Sequence, residues 1–194
     1  MKMSADLICD SPAGWIAAVM ADFDSFLQDH ANCERKASAM AMSFVAKYPD
    51  RTEIIPELIE TAVEELEHFR DVYRIMEERG IRLPDTMAED LYVKQLLQTC
   101  RTGRDERLID RLLWASVIEC RGAERFRLVY EALEPGDLKQ FYHRLWASEA
   151  KHGHIFVKMA LIYFPEAPVF KRLQELVEIE AQVLAGLELK AALH

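Results

Sequence analysis

The sequence predicts an all-α fold of four long helices, arranged as two hairpins joined by one long crossover, with an extra C-terminal helix. Three observations carry this. Apolar residues recur at helical spacing along most of the chain. The 7 Gly and 7 Pro are few and sit at the ends of those periodic runs. No segment shows the strict alternation of a half-buried strand.

Ser11-Pro12 reads as a cap followed by proline at the first helical position. A first helix is expected from there to about Tyr48, where Pro49-Asp50 breaks it. A second runs from about Thr52 to Arg79, with Pro56 in its first turn and Gly80 as its stop. Residues 81–104 hold Pro84 and Gly103 and read as the crossover, with a short helix around Leu91–Cys100. A third long helix is expected from about Asp105 to Leu133, followed by the turn Glu134-Pro135-Gly136-Asp137. A fourth runs from about Leu138 to Tyr163 and ends at Phe164-Pro165, and a last amphipathic helix covers roughly Pro168–Lys190. Four long helices with one crossover form the ferritin-like four-helix bundle.

A length of 194 residues suits one domain, 1–194, with a substantial core. Composition is 51% hydrophobic and 29% charged, which excludes a disordered chain. No apolar run is long enough to span a bilayer and no signal-peptide pattern stands out, so a cytoplasmic location without a membrane partner is expected. Cys9, Cys33, Cys100 and Cys120 form no Cys-x-x-Cys pair and read as free thiols. The net charge of −9 argues against nucleic acid when taken alone.

The chemistry is concentrated in Glu65-Leu66-Glu67-His68 and Glu149-Ala150-Lys151-His152. In each, a Glu stands three residues before a His, which places both on one helix face. With 21 Glu and 6 His, chance alone gives about 0.65 such matches, so the motif gains weight only from its setting. The setting is a weak internal repeat. Glu34 precedes Glu65 by 31 residues, and Glu119 precedes Glu149 by 30. Each hairpin thus offers a Glu on its first helix and Glu-x-x-His on its second, the donor pattern of a carboxylate-bridged di-iron site.

All four Glu interrupt apolar stripes. The first helix reads Phe23, Leu27, His30, Glu34, Ala37, Ala41, Phe44, and the second Leu58, Ala62, Glu65, Phe69, Val72, Met76. The third reads Leu108, Leu112, Ala115, Glu119, Gly122, Phe126, Val129, and the fourth Tyr142, Leu145, Glu149, His152, Phe156, Met159, Tyr163. A core carboxylate is costly unless a cation joins it. Carboxylate oxygens with imidazole suit iron or manganese without excluding zinc. On the third helix Glu124 also has apolar neighbours and remains an alternative to Glu119, which the repeat spacing and the room beside Gly122 favour. His30 reads as a core His bonded to a neighbour, and the Met40 and Met42 pair as core filler.

Five segments carry a resemblance: Asp6–Trp15, His30–Ser38, Glu64–Phe69, Ile118–Phe126 and Ser148–His152. Together they resemble the MiaE family, tRNA hydroxylases of ferritin-like fold with a non-haem di-iron centre. The resemblance runs from about Asp6 through the last helix. It implies hydroxylation of the isopentenyl group of 2-methylthio-N6-isopentenyl-adenosine beside the anticodon. It implies two Fe, O2 as co-substrate, and electrons from an external reductase. It also implies Glu34, Glu65, His68, Glu119, Glu149 and His152 as iron ligands, and tRNA as a partner. Arg101, Arg104, Arg107 and Arg111, then Lys139, Arg144, Lys151 and Lys158, then Lys171 and Arg172, are equally readable as a phosphate track and as a solvated face paired to Asp105, Glu106 and Asp110. Two other functions fit the residues: a di-iron oxidase for a small apolar substrate, and a non-enzymatic iron-binding bundle.

Overall fold

The computed structural model describes residues 4–86 and 89–194. Among the described residues there are seven helices and no strand. They are α1 (Trp15–Ala21), α2 (Phe23–Lys47), α3 (Ile55–Glu78), α4 (Leu91–Gln98), α5 (Arg104–Ala132), α6 (Asp137–Tyr163) and α7 (Glu166–Ala185). Two compact units are present: residues 18–86 with 190–193, and residues 4–17, 89–189 and 194.

The first unit is built on the α2–α3 hairpin. The single helix expected from Ser11-Pro12 to Tyr48 is instead two. Helix begins only at Trp15, whose N–H donates to the Pro12 carbonyl, and it breaks at Asp22. The Asp22 carboxylate accepts from the Ser25 N–H at 3.2 Å, so it caps a new helix rather than continuing the old one. α2 ends at Tyr48, just before Pro49. Pro56 occupies the first turn of α3, and Gly80 closes it at φ 71°, a left-handed conformation natural to glycine. Leu27, Ala41 and Phe44 of α2, and Leu58, Ala62, Val72 and Met76 of α3, are buried as their stripes require. Ser38 adds a tie to the Ala62 carbonyl at 2.8 Å.

In the second unit α5 and α6 form the other hairpin. Every member of the α5 stripe from Leu108 to Val129 is buried, as are Tyr142, Leu145, Phe156 and Met159 of α6. The two helices approach closely at Gly153. Its carbonyl accepts from Ser116 Oγ at 2.6 Å, and a Cβ there would lie 2.7 Å from Cys120 Sγ. α4 is capped by Asp90, which accepts from the Val93 N–H. α7 starts at Glu166, earlier than the expected Pro168, because Pro165 holds extended backbone at φ −60° and ψ 145° as its cap; it ends before Gly186 rather than at Lys190.

Two ionic knots tie the rest of this unit to α5. Asp110, fully buried, accepts from Arg101 and from Arg172 at 2.7–3.2 Å. Burial pushes its carboxyl up, but those hydrogen bonds outweigh burial and hold it below the usual carboxylate range. Arg121, also fully buried, donates to both oxygens of Glu180 on α7, to Glu124 and to the Cys9 carbonyl. Burial, with Glu180 beside it, raises the Tyr92 phenol well above its ordinary value, and Tyr92 donates to Glu180 at 3.0 Å. Ser11 is therefore not the helix cap that its position suggested. Its hydroxyl donates to Glu124 at 2.6 Å and accepts from Arg125 at 3.1 Å.

Cys9, Cys33, Cys100 and Cys120 are free thiols, and no helix among the described residues is long and apolar enough to cross a membrane.

Two outcomes are expected. Gly153→Ala should destabilise the protein by about 1–3 kcal/mol in urea unfolding, and Cys120→Ala in the same chain should recover much of the loss by removing the clashing sulfur. Asp110→Asn should cost about 2–3 kcal/mol at neutral pH. Because the folded carboxyl sits below its unfolded value of about 3.9, its contribution is present above that pH and is lost as pH falls through the folded value. The substitution should thus flatten the acid limb of a stability–pH curve.

Candidate metal centre

In the first unit α2 presents Glu34, and α3 presents Glu65 and His68. Glu34 and Glu65 are 3% and 1% exposed. His68 Nδ1 lies 3.7 Å from Glu34 Oε2 and 3.5 Å from Glu65 Oε2. One donor atom from each of the three falls within 4.8 Å of the others. The three-residue step from Glu65 to His68 puts both on the side of α3 that faces α2.

The second unit repeats the arrangement. α5 presents Glu119, and α6 presents Glu149 and His152, all buried. His152 Nδ1 lies 3.1 Å from Glu149 Oε2. Here too the three donor atoms fall within 4.8 Å of one another. Donors bound at about 2.1 Å to one ion lie at most about 4.2 Å apart, so each triad is close to the size of a metal shell. Carboxylates with imidazole are also the donors that iron and manganese take. The residues present therefore fit a metal in each unit.

The buried acids sort themselves by neighbour. Asp110 and Glu180 are matched by arginine. Glu34, Glu65 and Glu149 instead have imidazoles beside them. An imidazole gives up its proton to bind a metal, whereas arginine keeps its charge and leaves a closed salt bridge.

Glu119 and Glu124 separate clearly. Glu124 accepts from the Ser11 N–H and Oγ and pairs with Arg121 at 3.2 Å, whereas Glu119 stands with Glu149 and His152. Beside Glu119, a Cβ built on buried Gly122 would meet nothing within 4 Å, so the α5 backbone leaves open space one turn on.

His30 is fully buried and its Nε2 lies 2.7 Å from Glu34 Oε1, which orients that carboxylate. The four-residue spacing from Glu34 was the signal for it. His143 is exposed, and the ring of His154 bonds the Ala150 carbonyl, so neither joins the triads. Met40 is half-buried, but Met42 is 44% exposed and is not core filler. Arg101 and Arg172 are held by Asp110, so the structure removes them from the set of side chains offered outward to phosphate.

An all-helical chain whose two hairpins each gather Glu and His has the architecture of the ferritin-like class, with side chains that could hold a metal. A solved structure confirms the fold: protein 43 with aldehyde deformylating oxygenase activity from Synechococcus is 29% identical. It superposes with a TM-score of 0.92 over 100% of this chain and 96% of its own. The chain belongs to the tRNA-(MS(2)IO(6)A)-hydroxylase (MiaE) family, whose model matches residues 1–194. Among its relatives is the tRNA 2-(methylsulfanyl)-N(6)-isopentenyladenosine(37) hydroxylase of Pseudomonas putida, 33% identical over 100% of this chain and 93% of the relative. The enzyme of the same name from Salmonella typhimurium is 26% identical over 97% and 87%.

The triads predict a measurable contrast. Ferrous iron added to metal-free protein under argon should raise the melting temperature. Glu119→Gln should reduce the iron bound per chain, while Glu124→Gln should keep the iron and lose stability by about 1–3 kcal/mol.

Proposed function

We propose that this chain hydroxylates the isopentenyl group of 2-methylthio-N6-isopentenyl-adenosine in tRNA. The whole-chain family match carries the substrate, and the two buried triads support the chemistry. In this reading Glu34, Glu65, His68, Glu119, Glu149 and His152 are the residues that would hold two irons. A bound iron pair would supply the two-electron activation of O2 that hydroxylation of a C–H bond needs. The balance is one C–H bond, one O2, two electrons and two protons giving one C–OH and one water. The electrons come from an external reductase.

The protein's own part is placement. His30 fixes the Glu34 carboxylate, and the Glu-x-x-His step fixes the distance between carboxylate and imidazole on α3 and on α6. Phe126 and Phe156, on the helix stripes that carry Glu119 and His152, are buried, so those helix faces are dry. The open space at the Gly122 Cβ position, one turn from Glu119, is where this reading puts the prenyl chain. The base has to leave its stack to bring that chain to the iron.

A second reading has one observation behind it. The Synechococcus structure shares the fold and has aldehyde deformylating oxygenase activity, which would suit a small apolar substrate.

Nucleoside mass spectrometry separates the two. Iron-loaded protein, reductant and O2 are incubated with tRNA that carries the prenylated, unhydroxylated base. A gain of one oxygen on that nucleoside is expected, and Glu65→Ala should abolish it. Unchanged tRNA with two irons confirmed on the protein would shift the assignment to a small-molecule oxygenase. Gly122→Leu should bind iron normally yet lose at least tenfold in tRNA hydroxylation, because its side chain fills the space offered to the prenyl group.

A further inference from the structure

The outer side of α6 has a charge pattern unlike the rest of this acidic chain. Between Asp137 and Tyr163 the only acid is Glu149, which is buried. Arg144, Lys151 and Lys158 follow one another at seven-residue steps, almost exactly two helical turns, and all three are exposed. None has an acid three or four residues away on α6, the spacing at which helical charges pair. The arginines of α5 differ: Arg104 and Arg107 are interleaved with Asp105 and Glu106.

An aromatic cluster adjoins this stripe. Tyr130 lies 5.1 Å from the His143 ring and 6.1 Å from Trp146, and His143 meets Trp146 at 5.9 Å. His143 is exposed, and the other two rings are half-buried. Trp146 stands one helical turn before Glu149, about 4.5 Å along the axis. The local acid Glu131 is already engaged by Arg127 at 3.0 Å.

We propose that this side of α6 is where the substrate RNA docks, with Arg144, Lys151 and Lys158 on phosphates and the Tyr130–His143–Trp146 cluster stacking a base of the anticodon loop. The inference rests on the tRNA reading above. Cations spaced along a helix match the regular charge of a backbone, and the exposed His143 ring, backed by the half-buried Trp146 and Tyr130, offers the π-face that unpaired bases use. An acidic electron-transfer protein would also be drawn to the cations, but it would have no use for the ring cluster. Trp146 stands three residues before Glu149, so the ring cluster and a triad residue belong to neighbouring turns of one helix.

The test is binding of a fluorescent anticodon stem-loop RNA to the iron-loaded full chain, measured across salt concentrations. Arg144→Glu, Lys151→Glu and Lys158→Glu combined should weaken binding at least tenfold near 0.1 M salt. It should also reduce the slope of log K against log salt by about two, as the loss of three contacts requires. His143→Ala should weaken binding several-fold and leave the slope unchanged. Arg104→Glu with Arg107→Glu should change affinity less than twofold. Helical content and iron content establish that each variant is folded. An unaltered affinity and slope in the triple variant would overturn the docking surface. So would normal RNA binding combined with lost reduction by an acidic electron donor, which would make the stripe a protein interface. If the unsubstituted protein, with two irons, neither binds the RNA nor hydroxylates it, the tRNA reading itself fails and the docking surface falls with it.

Discussion

Removing a carboxylate from water costs several kcal/mol unless a cation or hydrogen-bond donors replace its hydration. Glu34, Glu65, Asp110, Glu119, Glu149 and Glu180 are all buried, so this chain meets the problem six times. It uses two solutions. Asp110 and Glu180 are closed off by arginines and serve as structural knots. The other four are gathered with histidines in triads whose donors suit a metal. The division keeps permanent charges out of the triads and leaves ligands that can exchange a proton for an ion. Helix packing in both hairpins is then the scaffold that holds these donors at matching depth.

Much of this was legible because the helical period is strong. The four stripes place the Glu residues on core faces, and every one of the four is buried. The Glu-x-x-His step fixes a local geometry that no tertiary contact has to create. What the period does not encode is competition for backbone and side-chain partners. Asp22 lies inside an unbroken apolar pattern, yet its carboxylate captures the Ser25 N–H and starts a new helix. Ser11 precedes a proline as a cap would, yet Glu124, 113 residues away, takes its hydroxyl.

The same limit explains the ambiguity between Glu119 and Glu124. Both have apolar neighbours at helical spacing, and no one-dimensional pattern shows that Arg121 and Ser11 converge on Glu124. Arg101 and Arg172 read as surface cations for a similar reason, because Asp110 draws both from segments far apart in sequence. The gathering of Glu and His on each hairpin was readable since each triad is local. The ionic knots were not, since they join α5 to residues as distant as α7 and the segment before α1.

That locality has a consequence for assembly. Glu34 and His68 are 34 residues apart, and Glu119 and His152 are 33, so each triad closes within a single hairpin. The chain-entropy cost of bringing such ends together is small and grows only slowly with length. Hairpin contacts of this short range also form early in folding. Each hairpin therefore gathers its own Glu and His donors as it folds, without closing a long stretch of chain to do so.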